Sequence, residues 1–184
     1  MMNDGTRQAL VKAGVELLEE TGSADVGLRA IARRAGVSHG APRRWFPTHR
    51  SLLAAIAEVG LADLATVLAE AAERSGSDLT EVAEAYVAFA VGRPAMFTLI
   101  FRHDLLEGSG AELRTVSQPL FRWLVEMVER VSGGGEPEVR AAALWVGIHG
   151  IAVLAATGSL ELATDGVDRR RVIGTVVRNS LSSR

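Results

Sequence analysis

Apolar residues recur along almost the whole chain at the spacing of a helix, and no run alternates apolar with polar residues as a half-buried strand would. Leu10, Ala13, Gly14, Leu17 and Leu18 share one face of a helix expected over about residues 4–21, with Gly22 ending it. Leu28, Ile31, Ala32 and Ala35 form a second, shorter stripe, with Arg29, Arg33 and Arg34 turned away from it. Gly36 stops that helix, because glycine takes the left-handed geometry of a C-cap at little cost. Ser38 is placed to cap the next helix, expected from about Ser38 to Trp45, with Pro42 in its first turn or at the end of that turn. Helix, tight turn and second helix have the shape of a helix-turn-helix, whose second helix enters the DNA major groove.

The same periodicity continues downstream. After Trp45-Phe46-Pro47, Thr48 is placed as the N-cap of a long helix carrying Leu52, Leu53, Ile56, Val59, Leu64, Val67 and Leu68, which ends near Ser75-Gly76-Ser77. Asp78 caps a fifth helix bearing Tyr86 and Phe89, and Pro94 closes it. Met96, Phe97, Ile100 and Phe101 lie on a short apolar helix. Gly108-Ser109-Gly110 is a loop, and a helix over about 111–131 must be kinked or delayed by Pro119. The segment 132–137, rich in Gly and Pro, is a flexible joint. Two helices near 138–157 and 168–182 close the chain, which makes about nine and an all-α fold without internal repeats.

One window, Ala141–Leu160, carries no formal charge over a length that spans a bilayer. It also holds His149, Gly147, Gly150, Thr157 and Gly158, and much of its apolar content is alanine. A helix buried on nearly all sides, in a core and a subunit interface, is the expectation rather than membrane insertion.

Composition narrows the chemistry. Among 184 residues there is no cysteine, which excludes disulfides, thiolate metal sites and a cysteine nucleophile. The four histidines (His39, His49, His103 and His149) are scattered, so no metal or other cofactor is indicated. Net charge is −2, but residues 1–50 hold eight Lys or Arg against five Asp or Glu, while the remainder is acidic. A basic head on an acidic body suits a DNA reader whose phosphate contacts lie at one end. No apolar signal segment opens the chain, so a cytoplasmic location is expected.

From Ala9 to Leu53 the chain resembles the TetR family of bacterial regulators. The residues that carry the likeness are the helix ending in Gly22, then Leu28-x-x-Ile31-Ala32-x-x-Ala35-Gly36-Val37-Ser38-x-Gly40, then Trp45-Phe46-Pro47-Thr48-x-x-x-Leu52-Leu53. Further on, Tyr86-x-x-Phe89-Ala90, Arg93-Pro94-Ala95-Met96-Phe97-x-x-Ile100-Phe101 and Trp145-x-x-x-His149-Gly150 resemble the effector-domain type named after its Trp, His and Gly. The resemblance implies an all-helical homodimer, joined through the last two helices. Residues 1–47 would be a helix-turn-helix DNA-binding domain and residues 48–184 a ligand-binding and dimerisation domain.

For DNA contact the candidates are Arg29, Ser38, His39, Gly40, Ala41, Arg43, Arg44, Thr48 and His49. Arginine bonds guanine bidentately or pairs with phosphate, and Thr48 would cap a helix whose free N–H groups can meet a phosphate. Arg43 stands where the family usually has tyrosine, and His49 where it usually has lysine. Histidine brings less charge than lysine, which puts operator affinity in question. Trp45 and Phe46 read as core anchors.

Ligand contacts are expected from Tyr86, Phe89, Met96, Phe97, Ile100, Phe101, Phe121, Trp145 and His149, because effector pockets are mostly apolar; Trp123 is a further aromatic, and Arg102, His103 and Asp104 would offer polar handles. Trp145 and His149 share a helix face, and Gly150 would let another helix approach closely. The leading expectation is a repressor, released from a palindromic double-stranded operator by a small apolar effector. The alternatives are a helical small-molecule-binding protein with weak or lost DNA binding, and an enzyme. For an enzyme, no Ser or His stands in a recognisable catalytic arrangement.

Overall fold

Capping chemistry sets most element boundaries in the computed structural model, which describes residues 4–23, 26–102, 114–132 and 135–182. Ten helices and no strand run through those residues: α1 (Asp4–Thr21), α2 (Leu28–Arg34), α3 (Ala41–Trp45), α4 (His49–Ser75), α5 (Leu79–Gly92), α6 (Pro94–Ile100), α7 (Arg114–Ser132), α8 (Pro137–Ala156), α9 (Ser159–Thr164) and α10 (Arg169–Leu181). The all-α expectation holds. The expected loop at Gly108–Gly110, the start of α7 near Ala111, the joint glycines Gly133 and Gly134, and the handles His103 and Asp104 lie outside the described residues.

The turn after α2 is a Schellman motif. Gly36 has φ +67°, Val37 N–H reaches the Ala32 carbonyl at 3.1 Å and Gly36 N–H the Arg33 carbonyl at 3.2 Å, which satisfies two carbonyls the helix end would leave open. At the start of α4, Thr48 Oγ1 accepts from Ser51 N–H at 3.0 Å, while Ser51 Oγ accepts from Thr48 N–H at 3.2 Å. This is a reciprocal capping box with serine in the usual Glu or Gln position. Asp78 caps α5 through Thr80 N–H at 2.7 Å, and Asp168 caps α10 in the same way.

Two expectations need correction. Helix α3 begins at Ala41, with Gly40 at its N-cap and no side-chain cap; the Ser38 carbonyl, rather than its hydroxyl, takes the Ala41 N–H. Pro42 at the second helical position fixes that later start, since proline belongs in a first turn. The charge-free window is not one helix, because Thr157 and Gly158 (φ +70°) separate α8 from the six-residue α9. Within its own chain α8 is covered on one side only: Val139, Trp145, Val146, Val153 and Leu154 on it are exposed.

By compactness the chain divides into Met1–Ala62 with Ala95–Leu113, and Asp63–Pro94 with Arg114–Arg184. In the first unit Leu10, Leu18, Ile31, Ala32, Phe46, Leu52, Ile56, Met96 and Leu99 are buried. Gly14 lets α1 approach Ile56, and Gly60 leaves room for the Met96 thioether; a Cβ at either position would collide. In the second unit α8 is central and packs on α5, α7, α9 and α10, with Leu144, Ile148, Ile151 and Ala152 turned inward. Helices α4 and α8 are both long and apolar enough to cross a membrane. Within the fold, 56% of the α4 window is buried but only 33% of the α8 window.

Candidate nucleic-acid interface and aromatic cluster

The first unit presents α2 and α3 as a braced pair. Arg34 on α2 is held by Glu20 and Glu16 of α1, with one nitrogen 2.7 Å from Glu20 Oε1. The Arg34 hydrogen bond keeps the Glu20 carboxyl below the usual carboxylate range. Phe46, at the end of α3, is 3% exposed and lies beneath the Arg7 guanidinium, 5.5 Å from its ring centroid. Trp45 is half-buried. Phe46 anchors the unit, as expected.

Arg29, Ser38, His39, Gly40, Arg43, Arg44 and Thr48 are exposed, and Ala41 is half-buried. His49 differs from its neighbours. It is half-buried at the first position of α4, and its Nε2 lies 2.7 Å from the Val26 carbonyl, 23 residues back in the chain. A carbonyl can only accept, so Nε2 carries the hydrogen and donates it. Nothing in the local sequence signals that bond.

The expected effector residues fall into two groups. Met96, Phe97 and Ile100 are buried in the first unit, where Phe97 and the half-buried Phe101 have ring centroids 5.0 Å apart. Tyr86, Phe89, Phe121, Trp145 and His149 belong to the second unit. There the phenol of Tyr86, on α5, lies 2.9 Å from His149 Nδ1, and the ring centroids of Trp145 and His149 are 5.9 Å apart. Phe121 meets Trp145 edge-on at 6.4 Å. Burial pushes the Tyr86 phenol up, against a hydrogen bond with the Trp145 side chain. Burial also lowers the His149 imidazole. These facts fit one directed chain, in which indole N–H donates to phenol oxygen and phenol O–H to a neutral imidazole Nδ1. Trp145 is nevertheless 40% exposed, so the cluster has an open side.

Phe89 carries the Arg93 guanidinium over its ring at 5.3 Å, and Arg93 also pairs with Asp63 at 2.8 Å. Gly150 faces open space. Gly147 makes the close approach instead: a Cβ there would lie 2.7 Å from Val176 Cγ1 of α10. A separate cleft of about 890 Å³ has charged walls, including Arg74, Glu81, Glu84 and Asp168. Arg170 bridges Glu81 and Glu84 across it. Among the described residues no cluster of His, Asp or Glu gathers closely enough to hold a metal ion.

Residues 10–56 match the family described as bacterial regulatory proteins, tetR family. Residues 79–173, over half of the chain, match one described as Tetracyclin repressor-like, C-terminal domain. Among solved structures the chain is similar to a protein with unknown function from Rhodococcus sp. RHA1, at 28% identity and TM-score 0.79 over 96% of this chain and 93% of that one. It is also similar to a TetR-like transcriptional regulator from the same organism, at 17% identity and TM-score 0.69, with 97% of each chain covered. A tetR-family transcriptional regulator from Streptomyces coelicolor follows at 19% identity and TM-score 0.60, with 96% of this chain and 79% of that one covered. The last two likenesses establish the fold alone. No curated protein matches the chain.

Proposed function

The chain belongs to the TetR family of bacterial regulators, as a ligand-responsive DNA-binding transcriptional regulator, and from that premise we propose that it is a homodimeric repressor released from a palindromic operator by a small apolar effector. The observation that carries the DNA half of this reading is the exposed basic edge of the braced α2–α3 pair. Arg29, Arg43 and Arg44 are solvent-facing around a five-residue α3, where side chains reach base edges and phosphates. Ser38, His39, Gly40, Ala41 and Thr48 flank them at the same end. In this reading residues 1–47 read DNA and residues 48–184 take the ligand and the second copy. The protein acts in the cytoplasm and catalyses no reaction.

The dimer is proposed to form through α8 and α10. Val139, Ala143, Val146, Gly150 and Val153 are exposed and fall four and three residues apart, the spacing of a helix–helix seam. The effector is proposed to enter beside Phe121, Trp145, His149 and Tyr86, where aromatic surface meets a polar handle; this is the cluster behind the Trp-His-Gly resemblance. Two-fold symmetry would set the recognition helices about 34 Å apart, and the effector would favour a form in which that spacing is lost.

A mobility shift with labelled DNA flanking the chain's own gene tests this. A sequence-selective complex is expected, and Arg43→Ala with Arg44→Ala should weaken it and lower its salt slope by about 0.9 for each phosphate no longer neutralised. No selective complex, or one indifferent to both arginines, would refute the reading.

A further inference from the structure

We propose that His49 is a positioning residue, which locks the first turn of α4 to the segment leading into α2 and acts on operator affinity through that geometry rather than by touching phosphate. The inference rests on the DNA-binding reading above. The two ends of the bond are both fixed points. On one side the Thr48–Ser51 capping box sets where α4 begins, so His49 stands at its first residue. On the other side Val26 is buried, and it immediately precedes Gly27, the N-cap of α2. Gly27 in turn accepts from the N–H groups of Ala30 and Ile31 at 3.0 and 3.1 Å.

Helix α2 is therefore tied at both ends. His49 holds the approach to its N-terminus, and Arg34 near its C-terminus is held to α1 by Glu16 and Glu20. Helix α3 follows α2 through the hydrogen-bonded Schellman turn at Gly36, and in this proposal the orientation of α2 is passed on to α3 through it. An imidazole whose Nε2–H is committed to a backbone carbonyl has, in its neutral form, only an acceptor left at Nδ1. An acceptor cannot bond a phosphate oxygen.

Two measurements test this. In the free protein, the ring ¹⁵N shifts of His49 at alkaline pH should report the Nε2–H tautomer; the Nδ1–H tautomer would overturn the assignment. In titrations of the labelled flanking DNA over a range of salt, His49→Ala should bind about five- to tenfold more weakly, the loss of one hydrogen bond. Its salt slope should stay unchanged, and its fold should be checked by thermal melting. His49→Gln places an amide donor at similar reach and should recover affinity to within about twofold. A salt slope that falls by about 0.9 in His49→Ala would make His49 a phosphate contact and overturn the proposal. Equal affinity of wild type and His49→Ala, or a His49→Gln as weak as His49→Ala, would overturn it too. Failure of the wild type to bind selectively would instead sink the regulator reading, leaving the tautomer to decide the bond.

Discussion

Val146 offers the sharpest test of the proposed subunit interface. It lies in the middle of the exposed α8 stripe and is 65% exposed in the single chain. Replacing it with alanine removes two methyl groups, worth about 1.6 kcal/mol if both were fully withdrawn from water. With roughly two-thirds of the side chain left for a partner to cover, about 1 kcal/mol per protomer is at stake. An isologous interface uses each residue twice, so the dimer should lose about 2 kcal/mol, or roughly 30-fold in dissociation constant. Val146→Asp adds the desolvation of two carboxylates and should leave mostly monomer at micromolar concentration. Sedimentation equilibrium over a concentration series reads both changes. Val59→Ala, on α4 in the other compact unit, serves as the control and should leave the constant unchanged. If Val146→Ala and Val146→Asp both kept the wild-type dimer constant while melting normally, α8 would not be the subunit face.

Two further changes probe the fold and the aromatic cluster. Thr48→Ala removes the acceptor for Ser51 N–H and should cost about 1 kcal/mol, a fall of roughly 2–4 °C in melting temperature for a chain of this size; an unchanged melt would show that the capping box adds nothing. Burial holds the His149 imidazole below its ordinary value, so on acidification the unfolded chain takes up that proton first. Stability from this group should be full above about pH 6.5 and fall as the pH drops below it, and His149→Gln should flatten that part of the profile in thermal melts. A profile of unchanged slope would mean that other groups carry the dependence.

What could be read in advance divides by how far apart the interacting groups lie. The ends of α1, α2, α4 and α5 were legible because each is decided within about four residues, at Gly22, Gly36, Thr48 and Asp78. Ser38 failed by the same kind of local chemistry, since Pro42, a few residues beyond the expected cap, outweighed the hydroxyl in placing the start of α3. Helix α9 escaped because six residues are too few to display a period. The bonds that shape the candidate sites span long stretches of chain instead: His49 to Val26 crosses 23 residues, and Tyr86 to His149 crosses 63. No local pattern encodes such a pairing.

Gly147 and Gly150 show the limit most clearly. They are the same residue on the same helix, three positions or about 60° of turn apart. One makes room for Val176 and the other meets nothing within its own chain. Apolar periodicity marked all of α8 as fit for burial, but periodicity cannot say which stripe is covered from within and which waits for another molecule. The inward stripe, Leu144, Ile148, Ile151 and Ala152, is satisfied by the fold. The stripe through Val139, Val146, Gly150 and Val153 is not. A helix apolar all round that is covered on only one side fits a partner surface of matching chemistry, and in the proposed dimer an identical stripe on a second copy would supply it.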